Sequence, residues 1–272
     1  MIKLSFNSAN FVARTSGYRI FSENWADGDK ATNEYFRPLD TFGDRFDELV
    51  STIKNLGFDY MDLWTAHLNW AWATDEHIEI ANEVLDWYGI EILSYVGEFG
   101  STEEEFTKAC RLVKALGFDL MGGGSSFFLN NKKRAVEILE KEGVRFAFEN
   151  HPNEKTALDV EAIIAGTPLE YVGVTLDTGW FMTNGYPPDK AAELLADRVM
   201  HVHLKDIKAP GRHDTCAYTK GCVPLYRCVR LLEESGYTGS YSIEHEPFTF
   251  DPSKDCAESK AILEKWLEEF YR

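Results

Sequence analysis

Short apolar segments alternate along the chain with longer segments in which apolar residues recur every three to four positions. Segments of the first kind, such as 2–6, 60–66 and 144–150, are rich in aromatic and β-branched residues and predict buried strands. Segments of the second kind, such as 40–57 and 101–117, end at a glycine and predict amphipathic helices. Over the whole chain, the alternation predicts eight strands and eight helices.

Regular alternation of strands and helices indicates parallel strands joined by helical crossovers. Eight such units within 272 residues fit an α/β fold, a single-domain (β/α)8 barrel that covers residues 1–272. A doubly wound open sheet is the alternative. It would need fewer strands or a GxGxxG cofactor fingerprint after the first strand, and the sequence has no such motif there. We therefore predict the barrel.

One connection, residues 9–41 between the first strand and the first helix, is much longer than is usual for a strand-to-helix loop. It contains six aromatic residues, namely Phe11, Tyr18, Phe21, Trp25, Tyr35 and Phe36. In a barrel, this segment lies on the face formed by the C-terminal ends of the strands, where active sites are built. We predict that it forms a partial lid over the active site.

Composition restricts the partners and the compartment. The formal net charge is −17, which argues against binding to nucleic acid or to an anionic membrane surface. The five cysteines form no CxxC pair, which predicts reduced thiols. Because the N-terminal segment also lacks the pattern of a signal peptide, we expect a cytoplasmic protein.

Four of the predicted strands end in a residue that is able to bind a metal ion: Glu149, Asp177, His203 and Glu244. Each follows an apolar run of similar length, so the four side chains are expected at one height in the barrel mouth, with His201 one layer deeper. Three carboxylates and an imidazole would repel one another unless a cation lay among them. The set suits a divalent ion, with Mn²⁺ favoured over Mg²⁺, Co²⁺ or Zn²⁺.

Three further residues are expected near these ligands. His67 follows the second strand at the same height, and we predict that it contacts the substrate. His151 lies two positions after Glu149, where it would border the ligands and the substrate. Lys205 lies two positions after His203 and would either neutralise an oxyanion of the substrate or form a salt bridge with Asp206.

The sequence motifs around the four strand ends are FAFENH, TLDTG, HVHLKD and YSIEHE. Together with the segment LLEESGYTGSYSIEHEP, they make the chain resemble the xylose-isomerase-like barrel superfamily, in its sugar isomerase and epimerase branch with ketose 3-epimerases and hydroxypyruvate isomerases. The resemblance implies that the four strand-end residues hold one divalent ion. It also implies that Glu149 and Glu244 are the catalytic pair that transfers the proton, and that the protein is a homo-oligomer, either a dimer or a tetramer.

The sequence differs from the pattern of this branch at one position. Epimerases of this branch have a histidine three residues after the aspartate of the sixth strand, whereas this chain has Trp180. An indole stacks on a sugar face or donates one N–H, so Trp180 favours a bulkier or modified sugar over a free ketohexose. The loop after the seventh strand, where the branch places a substrate-binding arginine, contains Arg212.

The expected function is that of a divalent-metal-dependent sugar isomerase or epimerase, which acts on a keto-sugar or keto-glycoside through an enediolate intermediate. The alternative is a lyase or dehydratase that acts on a keto-sugar, a 3-keto-glycoside or an inosose with the same site. An apurinic-site endonuclease is disfavoured by the charge of −17 and by the presence of only seven histidines. A non-catalytic sugar-binding subunit would have lost one of the four ligands, and all four are present.

Overall fold

The computed structural model of the protein describes residues 2–22 and 24–271. Eight parallel strands form a closed barrel in which the last strand pairs with the first. They are β1 (Lys3–Asn7), β2 (Tyr60–Trp64), β3 (Glu91–Glu98), β4 (Leu120–Gly124), β5 (Arg145–Glu149), β6 (Val172–Asp177), β7 (Val199–Leu204) and β10 (Ser240–Ile243). A short antiparallel pair, β8 (Asp206–Ile207) and β9 (Thr215–Cys216), lies outside the barrel. The predicted (β/α)8 barrel is confirmed.

All eight predicted helices are present, and three more follow β1, β4 and β6. The predicted eight are α2 (Leu39–Asn55), α3 (Asp75–Tyr88), α4 (Glu103–Ala115), α6 (Lys132–Glu142), α7 (Ala157–Ile164), α9 (Pro188–Leu195), α10 (Leu225–Glu234) and α11 (Ser253–Phe270). The additional three are α1 (Trp25–Phe36), α5 (Ser126–Asn130) and α8 (Thr178–Thr183). Because each of the three follows a strand, all of them add to the face that carries active sites in barrels.

Three positions lie outside the described residues: Met1, Glu23 and Arg272. Met1 is the first residue of the predicted domain. Glu23 lies in the segment 9–41, and Arg272 is the predicted end of the last helix. Within the described part of the chain, every helix lacks an apolar stretch of the length that a bilayer requires. The five cysteines are all free thiols in the structure.

Residues 9–41, predicted as a loop, are more regular than expected. Short 3₁₀ turns come first and helix α1 follows, with the side chain of Asn24 accepting a hydrogen bond from the first turn of the helix. The aromatic residues of this segment divide between two environments. Phe11 and Phe36 are buried in the core, whereas Phe21 is 78% exposed. The predicted role of the segment as a lid stays a prediction.

The interior of the barrel is polar, although barrels of this kind are usually filled with branched apolar residues. Asp62 from β2 and Ser94 from β3 approach Nε2 of His201 on β7, at 3.1 and 3.3 Å, so the three side chains meet across the barrel. All three are fully buried. Apolar side chains face the helices instead: the ring of Phe146 packs 4.8 Å from that of Phe128 in α5. The apolar core therefore lies between barrel and helices.

His67 lies just beyond β2 in apolar surroundings. Its ring packs against Phe36 and Trp64, and its Nδ1 atom lies 3.0 Å from the hydroxyl of Ser8. Burial disfavours the charged imidazolium and lowers the pKa of His67 to about 3. The folded protein therefore holds this side chain neutral at pH values where an exposed histidine would be protonated.

Replacement of His67 by glutamine should make the protein less sensitive to acid. The unfolded chain binds a proton at His67 below pH about 6.5 and the folded chain does not, so stability falls as the pH drops below that value. Between pH 7 and 5, the wild type should lose about 2 kcal/mol more free energy of unfolding than His67→Gln. Urea denaturation at the two pH values measures this difference. Equal losses in the two proteins would show that His67 is not held neutral.

Candidate functional site

A cavity of about 680 Å³ opens at the C-terminal ends of the barrel strands. Its wall is largely aromatic, with Trp25, Trp64, Trp70, Trp180 and Phe248. Its lining includes five acidic residues, Asp29, Glu98, Glu149, Glu244 and Glu246, and one lysine, Lys205. The cavity therefore combines flat apolar surfaces with an excess of negative charge.

The four strand-end residues predicted as metal ligands come together in one cluster, and Glu149, His203 and Glu244 line this cavity. Glu149 and Asp177 are the last residues of β5 and β6, His203 lies near the end of β7, and Glu244 directly follows β10. Asp177 is paired with His203 in the ladder between β6 and β7. One ligand atom from each of the four residues lies within 4.8 Å of all the others, and all four side chains are buried.

Two nitrogen atoms hold the carboxylates of this cluster together. Nδ1 of His203 lies 2.7 Å from Oε1 of Glu149 and 3.2 Å from Oε2 of Glu244. Nζ of Lys205 lies 3.0 Å from Oδ2 of Asp177 and 3.1 Å from Oε1 of Glu244. Each carboxylate of the cluster therefore has at least one nitrogen beside it, and Glu244 has two.

The two glutamates of the cluster differ in the direction of their pKa shifts. Burial raises the pKa of Glu149, but the neighbouring His203 outweighs this effect and lowers it to about 2. Burial also raises the pKa of Glu244, and the nearby Lys205 and His203 offset it only in part, so that it rises to about 8. Burial lowers the pKa of His203, but Glu149 and Glu244 reverse the effect and raise it to about 10. The pKa values of the two carboxyl groups are thus shifted in opposite directions.

The residues of the cluster fit a divalent metal ion. Oδ2 of Asp177 and Oε2 of Glu244 are buried and make no hydrogen bond with the described residues, although each lies within 3.2 Å of a nitrogen. Buried carboxylate oxygens without hydrogen bonds are rare in folded proteins. Three carboxylates and one imidazole supply hard and borderline donors, a set that suits Mn²⁺, Mg²⁺, Co²⁺ or Zn²⁺.

Three of the residues predicted to contact a substrate line the cavity. They are His151, Trp180 and Lys205. Nε2 of His151 lies 3.8 Å from Oε2 of Glu149, at the edge of the ligand cluster. The indole of Trp180 is stacked on the ring of His213, with the centroids 3.5 Å apart and the planes 7° from parallel. One face of this indole is therefore already covered by a protein side chain.

Two other predicted substrate contacts, His67 and Arg212, are not among the described residues that line the cavity. His67 packs against Trp64, and the tryptophan is the residue of this pair that faces the cavity. Arg212 is exposed on its loop, whereas the next residue, His213, turns inward and bonds to the hydroxyl of Thr183. The predicted substrate contacts of both residues stay predictions. The path of a loop after its strand is not fixed by the alternation within the strand.

Several cavity residues were missed by the sequence reasoning. Glu246 lies two positions after Glu244, so the same alternation could have identified it. Asp29 lies on α1, four positions after Trp25 of the predicted lid segment, so that the two share a helix face; residues 25–36 were not predicted as a helix. The indole N–H of Trp25 donates a hydrogen bond of 3.1 Å to Glu246, whose other oxygen lies 3.2 Å from Nζ of Lys205. These bonds connect helix α1 to the cluster.

Comparison with known proteins agrees with the fold. A family model described as xylose isomerase-like TIM barrel matches residues 50–266. An inosose dehydratase of Geobacillus kaustophilus is 31% identical over 135 residues, which cover 42% of either chain. An L-ribulose-5-phosphate 3-epimerase of Escherichia coli is 22% identical over 253 residues, which cover 78% of this chain and 87% of the epimerase.

An uncharacterized protein of Methanocaldococcus jannaschii is 28% identical over 147 residues, which cover 49% of this chain and 46% of that protein. The chain thus spans less than half the length of this protein and of the dehydratase. The named relatives are enzymes, one an epimerase and the other a dehydratase.

Two solved structures have the same fold. A protein of Mycobacterium smegmatis, described as a xylose isomerase-like TIM barrel protein in complex with magnesium, aligns over 100% of this chain and 98% of its own, at 19% identity and a TM-score of 0.71. The IOLI protein with a bound zinc atom aligns over 99% of both chains, at 15% identity and a TM-score of 0.72. Together with the family model, these alignments confirm the resemblance stated from the sequence. The chain belongs to the xylose isomerase-like TIM barrel family.

Proposed function

We propose that the protein is a divalent-metal-dependent isomerase or epimerase that acts on a keto-sugar or keto-glycoside through an enediolate intermediate. The observation that carries the proposal is the convergence of Glu149, Asp177, His203 and Glu244 in one buried cluster, three of whose members, all but Asp177, line the cavity. These four residues would hold the ion. A bound divalent ion supplies positive charge beside the substrate oxygens when a proton leaves the neighbouring carbon.

Glu149 and Glu244 are proposed as the residues that move the proton. Both line the cavity and both contact Nδ1 of His203. Two carboxylates in different electrostatic environments suit an acid and a base, because one accepts a proton while the other already carries one. Transfer through two carboxylates on opposite faces of the substrate inverts the carbon, and return by a single carboxylate to the adjacent carbon moves the carbonyl.

The cavity supports a substrate without phosphate groups. The lysine and arginine residues among its described lining amount to Lys205 alone. The Nζ atom of Lys205 already lies within 3.2 Å of three carboxylates, those of Asp177, Glu244 and Glu246. Four indoles offer flat surfaces on which the apolar face of a sugar ring, or a second ring of a glycoside, packs. We therefore propose an uncharged sugar with a bulky or modified portion beside Trp180.

The second candidate is a lyase or dehydratase that acts on a keto-sugar, a 3-keto-glycoside or an inosose. The relation to an inosose dehydratase supports it. Removal of the first proton is common to both candidates, so only the fate of the intermediate distinguishes them.

We propose a small-molecule carbohydrate as the ligand, with neither nucleic acid nor membrane as a partner, in keeping with the charge of −17. The free state of all five cysteines supports a reducing compartment, for which we propose the cytoplasm. A homo-oligomer, either a dimer or a tetramer, stays a prediction that sedimentation of the purified chain tests.

The metal content of the protein tests the proposed centre. Protein produced without added metal should contain about one divalent ion per chain, measured by elemental mass spectrometry. Glu244→Gln should lower the affinity for the ion at least tenfold, roughly the smallest loss expected even when a residue that only supports a ligand is changed. Glu193→Gln, which removes an exposed carboxylate of α9, is the matched control and should retain the ion. A wild type without metal, whose unfolding temperature is unchanged by Mn²⁺, Mg²⁺, Co²⁺ or Zn²⁺, would rule out the centre.

Proton exchange in D₂O tests the reaction. Keto-sugars and keto-glycosides are incubated with the metal-loaded enzyme, and a substrate should incorporate deuterium at the carbon beside its carbonyl. Glu149→Gln and Glu244→Gln should each reduce the rate by about 10²–10⁴-fold, the usual contribution of a general acid or base. The mass of the product then separates the candidates. An epimer or isomer keeps the mass of the substrate apart from the deuterium, whereas elimination removes water or splits the molecule.

The same experiment contradicts both candidates if no member of the panel exchanges a proton although the protein holds one ion per chain. Exchange that persists at the wild-type rate in both glutamine variants would show instead that other residues move the proton. Glu193→Gln again serves as the control for the loss of one negative charge.

A further inference from the structure

Below the cluster of proposed metal ligands, the barrel contains a buried carboxylate–histidine pair that packing alone does not explain. Asp62 and His201 have no exposed surface, and Oδ2 of Asp62 lies 3.1 Å from Nε2 of His201. The hydroxyl of Ser5 donates a further hydrogen bond of 2.9 Å to the same oxygen. A buried carboxylate, even when it has a partner, is often no more stabilising than apolar residues of equal volume. Its presence in a barrel interior therefore points to another role.

Three polar atoms next to this pair lack a hydrogen-bond partner among the described residues. They are Oδ1 of Asp62, Nε2 of His203 and Oγ of Ser242, and all three are buried. Ser242 is paired with His203 in the ladder between β10 and β7, so the two side chains lie side by side. One atom each of Asp62, His201 and His203 lie within 4.8 Å of one another. Nε2 of His203 and Oδ1 of Asp62, which both lack a hydrogen-bond partner among the described residues, thus belong to side chains that meet in one small region.

The orientation of the His203 ring connects this region to the proposed metal ligands. Nδ1 faces Glu149 and Glu244, the proposed ligands of the metal ion. Nε2 is on the opposite side of the ring, away from these ligands and toward the layer that contains Asp62. A histidine that binds a metal ion through one nitrogen normally carries its proton on the other, and a carboxylate nearby fixes this state and the direction of the ring.

We propose that Asp62 is a positioning residue for the metal centre, whose negative charge keeps the proton of His203 on Nε2 and leaves Nδ1 free to bind the ion. The inference rests on the proposed metal centre and adds to it a residue from β2, a strand that contributes no ligand. Ser242 is the third member of the group, because its hydroxyl can donate to Asp62 or accept from His203.

A second cation between Asp62, His201 and His203 is the competing explanation. The structure argues against it, because both ring nitrogens of His201 are already engaged. Nδ1 lies 2.9 Å from the hydroxyl of Ser240, and Nε2 lies beside Asp62. All three side chains are buried as well. The number of ions per chain separates the two explanations.

The affinity for Mn²⁺ tests the proposal. Metal-free wild type, Asp62→Asn and Ser5→Ala are titrated with Mn²⁺ by calorimetry, and thermal unfolding of each metal-free protein reports its folding. Asp62→Asn keeps the shape but removes the charge, and its Kd should rise about 10–100-fold, as for other residues that support a metal ligand. Ser5→Ala removes a hydrogen bond of the same carboxylate but keeps the charge, and its Kd should equal that of the wild type.

A measurement on the wild type covers the case in which Asp62→Asn does not fold. Protein labelled with ¹⁵N-histidine and loaded with Zn²⁺ should show a proton on Nε2 of His203, identified by the signal that disappears in His203→Gln. An unprotonated Nε2, an unchanged Kd in a folded Asp62→Asn, or two ions per wild-type chain would each overturn the inference while leaving the metal centre in place. A wild type that binds no ion would contradict the centre itself, and the role of Asp62 with it.

Discussion

The balance of buried charge governs the mouth of this barrel. Four carboxylates, those of Glu149, Asp177, Glu244 and Glu246, meet there, and among the described residues the basic groups within 3.2 Å of them are His203 and Lys205. An uncompensated charge in such a place costs several kcal/mol, so each side chain must be held where a partner is within reach. The ends of the strands hold their side chains in fixed positions of this kind. The loops, which are less constrained, supply the walls of the cavity.

The division between strand ends and loops explains how much of the site could be predicted. Within a strand, side chains alternate strictly, so the residues at the ends of equal apolar runs have to converge, as Glu149 and Asp177 do. Beyond the strand, direction depends on contacts that are distant in sequence. Arg212 was expected in the cavity and His213 occupies that place, because one step along a loop reverses which side chain faces inward.

The same reasoning explains why the fold was predictable and the polar interior was not. The alternation of strands and helices is a local pattern, repeated eight times, and each repeat supports the others. The pairing of Asp62 with His201 joins residues that are 139 positions apart. The sequence around either residue does not indicate that the other is its partner. Helix α1 was missed for a related reason: its polar sequence resembles a loop, and its place is set by contacts such as that of Trp25 with Glu246.

The last strand has a consequence for how the molecule assembles. β10 pairs with β7 on one side and with β1 on the other, so it closes the cylinder. The residue that follows it is Glu244, the last of the four ligands along the chain. Its pairing with β7 brings Glu244 to the other three ligands, so the coordination set is complete only when β10 has joined the sheet. An ion that binds only the complete set favours the form in which β10 is paired over any form in which this strand is detached. The metal ion would then also hold the C-terminal strand of the barrel against the strands that precede it.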